Sequence, residues 1–249
     1  MSYAPVIPRA RIGFIIPSSN RMAEPQIQRY APEGVVPHFT RLRMTNRHRR
    51  PLPELLPQIL ECTALLMDSK CDAIVFQCTG TSMSGGVDAD EMVVSEIRKA
   101  ADRPAVSTAG AVRAALSALH ASRLVFVSET SPEGHAKKLA YLREAGYEIL
   151  RDHAANLGGS DAYCTTPAEF WFDVALRLRD QRADAYFISC ANIRSMDVIE
   201  PLEQALGAPV ITSNQTALWC ALRQLGLQAS GPGILFRTPH TGLGTVRAD

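Results

Sequence analysis

The sequence lacks the features that mark several large functional classes. No apolar run approaches the roughly 20 residues needed to span a bilayer, so no membrane segment is expected. The opening residues, Met1-Ser-Tyr-Ala-Pro-Val-Ile-Pro-Arg9, have no signal-peptide pattern. Net charge is only +1, which gives no electrostatic case for nucleic acid or an anionic membrane as partner. The six cysteines (62, 71, 78, 164, 190 and 220) form no C-x-x-C pair, so neither a zinc ribbon nor a disulfide framework is supported. Free thiols in a reducing cytoplasm are the simplest fit. No G-x-G-x-x-G follows the first strand-like run and no G-x-x-x-x-G-K-[ST] occurs, so nucleotide binding has no motif. G-x-S-x-G and H-E-x-x-H are also absent, which removes the usual serine-hydrolase and zinc readings. Neither a metal nor a cofactor is expected.

What is present is a repeat. Asp72-Ala-Ile-Val-Phe-Gln-Cys78 runs from an acidic start through apolar residues into a cysteine, and Asp184-Ala-Tyr-Phe-Ile-Ser-Cys190 does the same. The two cysteines lie 190 − 78 = 112 residues apart, and Arg11/Arg123, Gly34/Gly146 and Asp72/Asp184 share that offset. Such runs read as buried parallel strands that end in a loop. The period is too long for a solenoid and suits a duplicated small α/β unit.

Strand and helix patterns alternate along the chain. Strands are expected at 11–17, 35–42, 72–78, 104–107, 123–128, 147–152, 184–190 and 209–212. Helices are expected at 22–30, 55–69, 89–101, 110–119, 132–145, 167–182, 196–206 and 215–225. Residues 79–82 and 84–86 read as turns, and 41–50 as a basic loop, either solvated or a flap that draws an anion toward a cleft. The tail at 231–249 gives no assignable pattern. Alternation of this kind means parallel sheets with right-handed crossovers. The expected architecture is two pseudo-symmetric α/β lobes, each a four-stranded parallel sheet flanked by helices. Residues 1–117 with 214–249 would form one lobe and 118–213 the other.

Sites in open parallel sheets lie beyond the carboxyl ends of the strands, so Cys78 and Cys190 would face each other across one cleft. A thiolate is a nucleophile and a base, and it needs donors to stabilise it. Thr79, Gly80 and Thr81 can supply N–H and hydroxyl groups, whereas Ala191 and Asn192 after Cys190 offer fewer. Two thiolates facing one small anion would repel it and each other. Cys78 is therefore expected as the thiolate and Cys190 as the thiol. Ser18-Ser19-Asn20, after the first strand, is either a helix cap or a ligand-binding turn. His153 is a possible proton carrier, with a solvated histidine as the plainer reading.

At these residues the chain resembles the aspartate/glutamate racemase superfamily, and within it the branch of maleate cis-trans isomerases and arylmalonate decarboxylases. The resemblance runs from Gly13 to Leu225. It is carried by Pro17-Ser-Ser-Asn20, Gly34-Val-Val-Pro-His-Phe-Thr-Arg41, Cys78-Thr-Gly-Thr-Ser-Met-Ser-Gly-Gly86, Ser189-Cys190-Ala-Asn192 and Thr212-Ser-Asn-Gln215. It implies a cofactor-free, homo-oligomeric enzyme acting on a small carboxylate, and the leading expectation is a cysteine-based, maleate-isomerase-like isomerase of a small unsaturated dicarboxylate or related acid. Cys78 is implied as nucleophile and Cys190 as acid/base partner, with substrate contacts at Ser19, Asn20, Thr79, Gly80, Thr130 and Ala191. Glycine replaces the first cysteine in the decarboxylases, so two cysteines lean toward an isomerase or racemase. The chain departs from the pattern after the fifth strand. The family's tyrosine is replaced by Ser128-Glu-Thr130, with Thr130 the nearest match, and its next asparagine has no counterpart near Gly158–Asp161. Amino-acid or hydantoin-type racemisation, decarboxylation through Cys190 and a two-lobed binding protein are the other readings of the sequence.

Overall fold

The computed structural model describes residues 8–45, 50–228 and 231–239. The first half builds β1 (Ala10–Pro17), α1 (Ala23–Tyr30), β2 (Val35–Leu42), α2 (Leu56–Asp68), β3 (Ala73–Phe76), α3 (Thr79–Ser84), α4 (Gly86–Ala101), β4 (Ala105–Ser107) and α5 (Thr108–Ala118). The second half builds β5 (Arg123–Ser128), α6 (Pro132–Glu144), β6 (Glu148–Ala154), α7 (Ser160–Thr165), α8 (Ala168–Arg177), β7 (Ala185–Ile188), α9 (Ile199–Leu206), β8 (Val210–Thr212), α10 (Ser213–Gln224) and α11 (Ile234–Arg237). Two four-stranded sheets result, in the orders β2-β1-β3-β4 and β6-β5-β7-β8, and every described pairing is parallel. No helix among the described residues is long and apolar enough to cross a membrane.

The repeat read from the sequence is a repeat of interactions. Asp72 Oδ2 accepts the Arg11 backbone N–H at 2.7 Å, and Asp184 Oδ2 accepts that of Arg123 at 2.8 Å. Each aspartate thus tethers the start of its sheet's second central strand to the start of the first. Gly34 and Gly146, before the edge strands, both take the left-handed conformation, with φ of 81° and 91°. A side chain is strained there, which explains why the repeat keeps glycine at both places.

Apolar runs that are buried on both faces put hydrophobic layers on each side of each sheet. Ile15, Ile74 and Phe76 face α2 and α4. Val125, Tyr186 and Ile188 face α8 and α9. The largest cluster joins the two sheets: Phe14 and Val75 from one, Phe126 and Phe187 from the other, with α5 and α10 between them. Each fully buried phenylalanine contributes about 1.5–3 kcal/mol of transfer free energy. α10 packs on α5 and also against β3 and β4. On this packing we propose the division expected above, with the chain returning to the first lobe near residue 214.

Several element boundaries differ from the sequence reading. Residues 79–84 form helix α3 rather than a turn, and α4 starts at Gly86 rather than at 89. Their small residues carry no apolar period, so only the strand-to-helix turn was legible. Helix α7 lies in a stretch read as loop, and α8 ends at Arg177, five residues short of 182. Arg41 is part of β2 and not of a loop. Its guanidinium holds the carbonyl of Asn20 at 2.7 Å and Glu24 at 2.6 Å, so it is not a free anion attractor. Residues 46–49 of that expected flap lie outside the described residues, as do 240–249 of the tail.

Gly146 isolates the backbone term, since an added Cβ would meet nothing within 4 Å. Gly146→Ala is expected to lower unfolding free energy by about 1–2 kcal/mol through the left-handed backbone alone. Urea denaturation checks this, and unchanged stability would contradict it.

Candidate active site

Cys78 ends the β3 segment and is the N-cap of α3, while Cys190 follows β7. Both open onto one cavity of about 590 Å³ at the carboxyl ends of the two sheets. Ser19, Asn20, Thr79, Gly80, Thr130 and Ala191 line the same cavity, so all eight residues singled out from the sequence meet there.

The lobes are joined beside the thiols by side-chain amides. Gln77, next to Cys78, donates to Asn214 Oδ1 at 2.7 Å. Asn214 donates to Gln26 Oε1 at 2.7 Å and to the carbonyl of Ala191, next to Cys190, at 3.1 Å. Asn20 also donates to that carbonyl at 3.1 Å, and its Oδ1 accepts from the N–H groups of Met22 and Ala23 at the start of α1. Asn20 therefore braces the entry to α1 and clasps the lobes as well as lining the cavity. The Thr79 hydroxyl donates to Ser213 Oγ at 2.8 Å, so it is turned toward α10. Free donors on that side are backbone ones, because the first N–H groups of a helix have no intrahelical partner. An added Cβ at Gly80 would meet only Lys138 Cε, at 3.9 Å, so the glycine leaves space beside Cys78. Across the mouth, α7 is tied to the first lobe. Ser160 donates to Ser19 Oγ at 2.9 Å, and Asp161 pairs with Arg21.

Other residues of the cavity wall have no site role in the sequence reading, Lys138, Glu129 and Tyr163 among them. Lys138 on α6 and Glu129 after β5 form a buried ion pair with distances of 2.9 and 2.7 Å, and Lys138 also donates to Ser189 Oγ at 3.0 Å. Tyr163 on α7 and Asn192 complete the wall beside Cys190. A signal for Lys138 existed. It sits with His135, Leu139 and Leu142 on the buried i, i+3, i+4, i+7 stripe of α6, where a lysine needs a partner. His135 is anchored next to it. One ring nitrogen pairs with Ser128 Oγ at 2.7 Å and the other with Asp152 at 3.0 Å. His153, in contrast, is exposed on β6.

Electrostatics distinguish the two thiols. Burial pushes the Cys78 thiol up, opposed by the Thr81 hydroxyl and N–H and by the Lys138 ammonium. Cys78 Sγ and Thr81 Oγ1 are 3.2 Å apart. Burial pushes Cys190 well above the ordinary thiol value, with the Glu129 charge adding to the rise and Lys138 and the Asn192 N–H opposing it. The Asn192 N–H donates to Cys190 Sγ at 3.3 Å. The expectation of a resting Cys78 thiolate is corrected by this geometry. Desolvation outweighs the local donors, and both groups rest as thiols at neutral pH. The expected order survives, with Cys78 the more acidic. For Lys138, burial lowers the ammonium's pKa, but Glu129 outweighs it and the net direction is up, so it stays charged.

A profile of the arylmalonate decarboxylase family matches residues 12–236. The maleate isomerase of Nocardia farcinica is 27% identical over 233 residues, covering 90% of this chain and 93% of that protein. Among solved structures, the Nocardia farcinica maleate cis-trans isomerase, as a cysteine-to-serine variant with a covalently bound succinylcysteine intermediate, matches with a TM-score of 0.84 and 26% identity. That match covers 92% of this chain and 99% of the other. The Pseudomonas putida S16 maleate isomerase variant with maleate has a TM-score of 0.86 at 23% identity, covers 92% and 98% of the two chains, and supports the fold.

The raised thiols predict a pH dependence. Alkylation reports the thiolate, so both cysteines should react more slowly near neutrality than a free thiol and accelerate as pH rises. Peptide mapping after iodoacetamide treatment should show Cys78 modified before Cys190. The reverse order would contradict the electrostatic assignment. With a profile matching most of its length and maleate isomerases among its relatives, the chain belongs to the arylmalonate decarboxylase family, in the branch those isomerases share.

Proposed function

We propose that this protein is a cofactor-independent cis-trans isomerase of a small unsaturated carboxylic acid, with Cys78 as nucleophile and Cys190 as acid/base partner. One observation carries the reading: two free thiols from equivalent strand ends open onto the same cavity. The succinylcysteine held by the related isomerase supports addition of sulfur to the alkene as the chemistry.

A cis double bond does not rotate freely. Cys78 first ionises, losing its thiol proton to solvent at the open side of the cavity. The thiolate then adds to one alkene carbon, and the π electrons move to the adjacent carbon, where the substrate carboxylate delocalises them. The central bond is then single and rotates. Expulsion of the thiolate restores the double bond in the trans form. Cys190 lends a proton to the carbanion from the other wall and takes it back before elimination. The backbone N–H groups of Thr79 and Gly80 hold the substrate carboxylate, with Ser19, Asn20, Thr130 and Ala191 shaping its surroundings. A homo-oligomer belongs to the same proposal through the resemblance, with free cysteines supporting a reducing cytoplasm, and light scattering tests the assembly.

An NMR screen of small mono- and dicarboxylic acids in D₂O separates the chemistries. Cis-to-trans conversion supports the isomerase, α-deuteration without isomerisation a racemase, and loss of CO₂ a decarboxylase. Cys78→Ser and Cys190→Ser are each expected to lower turnover by about 10²–10⁴-fold with unchanged circular dichroism. Near-normal turnover by Cys78→Ser would overturn the isomerase reading.

A further inference from the structure

The wall between the thiols can be read by counting hydrogen bonds. An ammonium has three protons to give. Lys138 gives them to Glu129 Oε1 at 2.9 Å, Glu129 Oε2 at 2.7 Å and Ser189 Oγ at 3.0 Å. None is left for a substrate. A carboxylate has about four acceptor sites. Among the described residues, Lys138 takes two of Glu129's. Glu129 and Lys138 are 5% and 2% exposed, and both line the cavity. This wall therefore has spare acceptors and no spare ammonium proton.

Among the described residues, the other cations lining the cavity lie at its rim. Lys137 pairs with Glu133 at 2.8 Å and Arg50 with Glu54 at 3.8 Å, and all four side chains are exposed. Tyr163 lines the wall beside Glu129. Burial and the Glu129 charge push its phenol up, and the Thr130 hydroxyl beside it opposes the rise, so the phenol stays protonated and can turn its proton from Thr130 to a ligand. A second substrate carboxylate placed here would bring only acceptors against Glu129, with like charge in a poorly solvated site. A primary carboxamide matches the wall on both counts. Its carbonyl accepts from Tyr163 and its NH₂ donates to Glu129.

We propose that the substrate is a cis-unsaturated acid with a carboxylate at one end and a carboxamide at the other, the amide end being read by Glu129 and Tyr163. The proposal rests on the isomerase reading, and it names the substrate class. Addition, rotation and elimination run as above, and the amide takes no part in bond making.

The test compares cis-butenedioic acid with its monoamide at mildly alkaline pH, where the diacid is doubly ionised. The intact enzyme should favour the monoamide in kcat/KM by at least about tenfold, the scale of one buried polar group left unpaired. Glu129→Gln combined with Lys138→Met removes both charges together and puts an amide donor on the wall. That change should shift the preference toward the diacid, whereas a purely structural lesion would lower both rates and leave their ratio alone. Glu129→Gln alone supplies the same ratio if the double variant does not fold. Equal or better use of the diacid by the intact enzyme overturns the proposal, and an unchanged ratio in the variants overturns the role of Glu129. Calorimetry with succinate and its monoamide reads the same preference without chemistry. Tighter monoamide binding with no isomerisation of either cis acid would remove the isomerase reading and keep the end-group assignment. Tighter succinate binding would remove the end-group assignment whatever the turnover.

Discussion

The buried amide chain from Gln77 through Asn214 to Gln26 and the Ala191 carbonyl is the constraint on which the site depends. Two of its members, Gln77 and Ala191, sit directly beside Cys78 and Cys190 in sequence, on opposite lobes. Each such bond contributes only about 0.5–1.5 kcal/mol net, but leaving one buried partner unpaired costs about 1–3 kcal/mol. A satisfied network of this kind has few alternatives, so it fixes the distance and direction between Gln77-Cys78 and Cys190-Ala191. Hydrophobic packing of both sheets around α5 and α10 brings the lobes together without choosing a register to that accuracy. The amides choose it.

That fixed geometry makes the two thiols inequivalent. Cys78 begins a helix and is faced by the Thr81 hydroxyl and N–H. Cys190 has one backbone donor and feels the Glu129 carboxylate more than the Lys138 ammonium. Duplication supplied two cysteines at matching strand ends, and their surroundings then leave Cys78 the more acidic of the two. Keeping both neutral at rest avoids two like charges in a small poorly solvated cavity.

The periodic part of this architecture was legible in the sequence. Eight apolar runs, the shared offset and the strand-end cysteines place both sheets and the cleft. Residues without an apolar period were not legible: α3 and α7 are short helices of small and polar residues. Side chains that act through distant partners were equally hidden. Asn214 is legible as part of a motif and Gln26 as part of a helix, but not as partners, until folding places them against each other. Glu129 and Lys138 are only nine residues apart, yet a strand end and the second turn of a helix must be superposed before they meet. The expected Cys78 thiolate failed for a related reason, because local residue types reveal donors but not burial.

The central claim is that sulfur of Cys78 bonds to substrate carbon inside this cavity. Intact-mass and peptide mass spectrometry of the Cys190→Ser protein, incubated with a cis acid that the unaltered enzyme isomerises, tests it most directly. The predicted result is a mass increase equal to the whole acid, located on the peptide containing Cys78. Absence of any adduct, or an adduct confined to one of the other cysteines, would contradict the account.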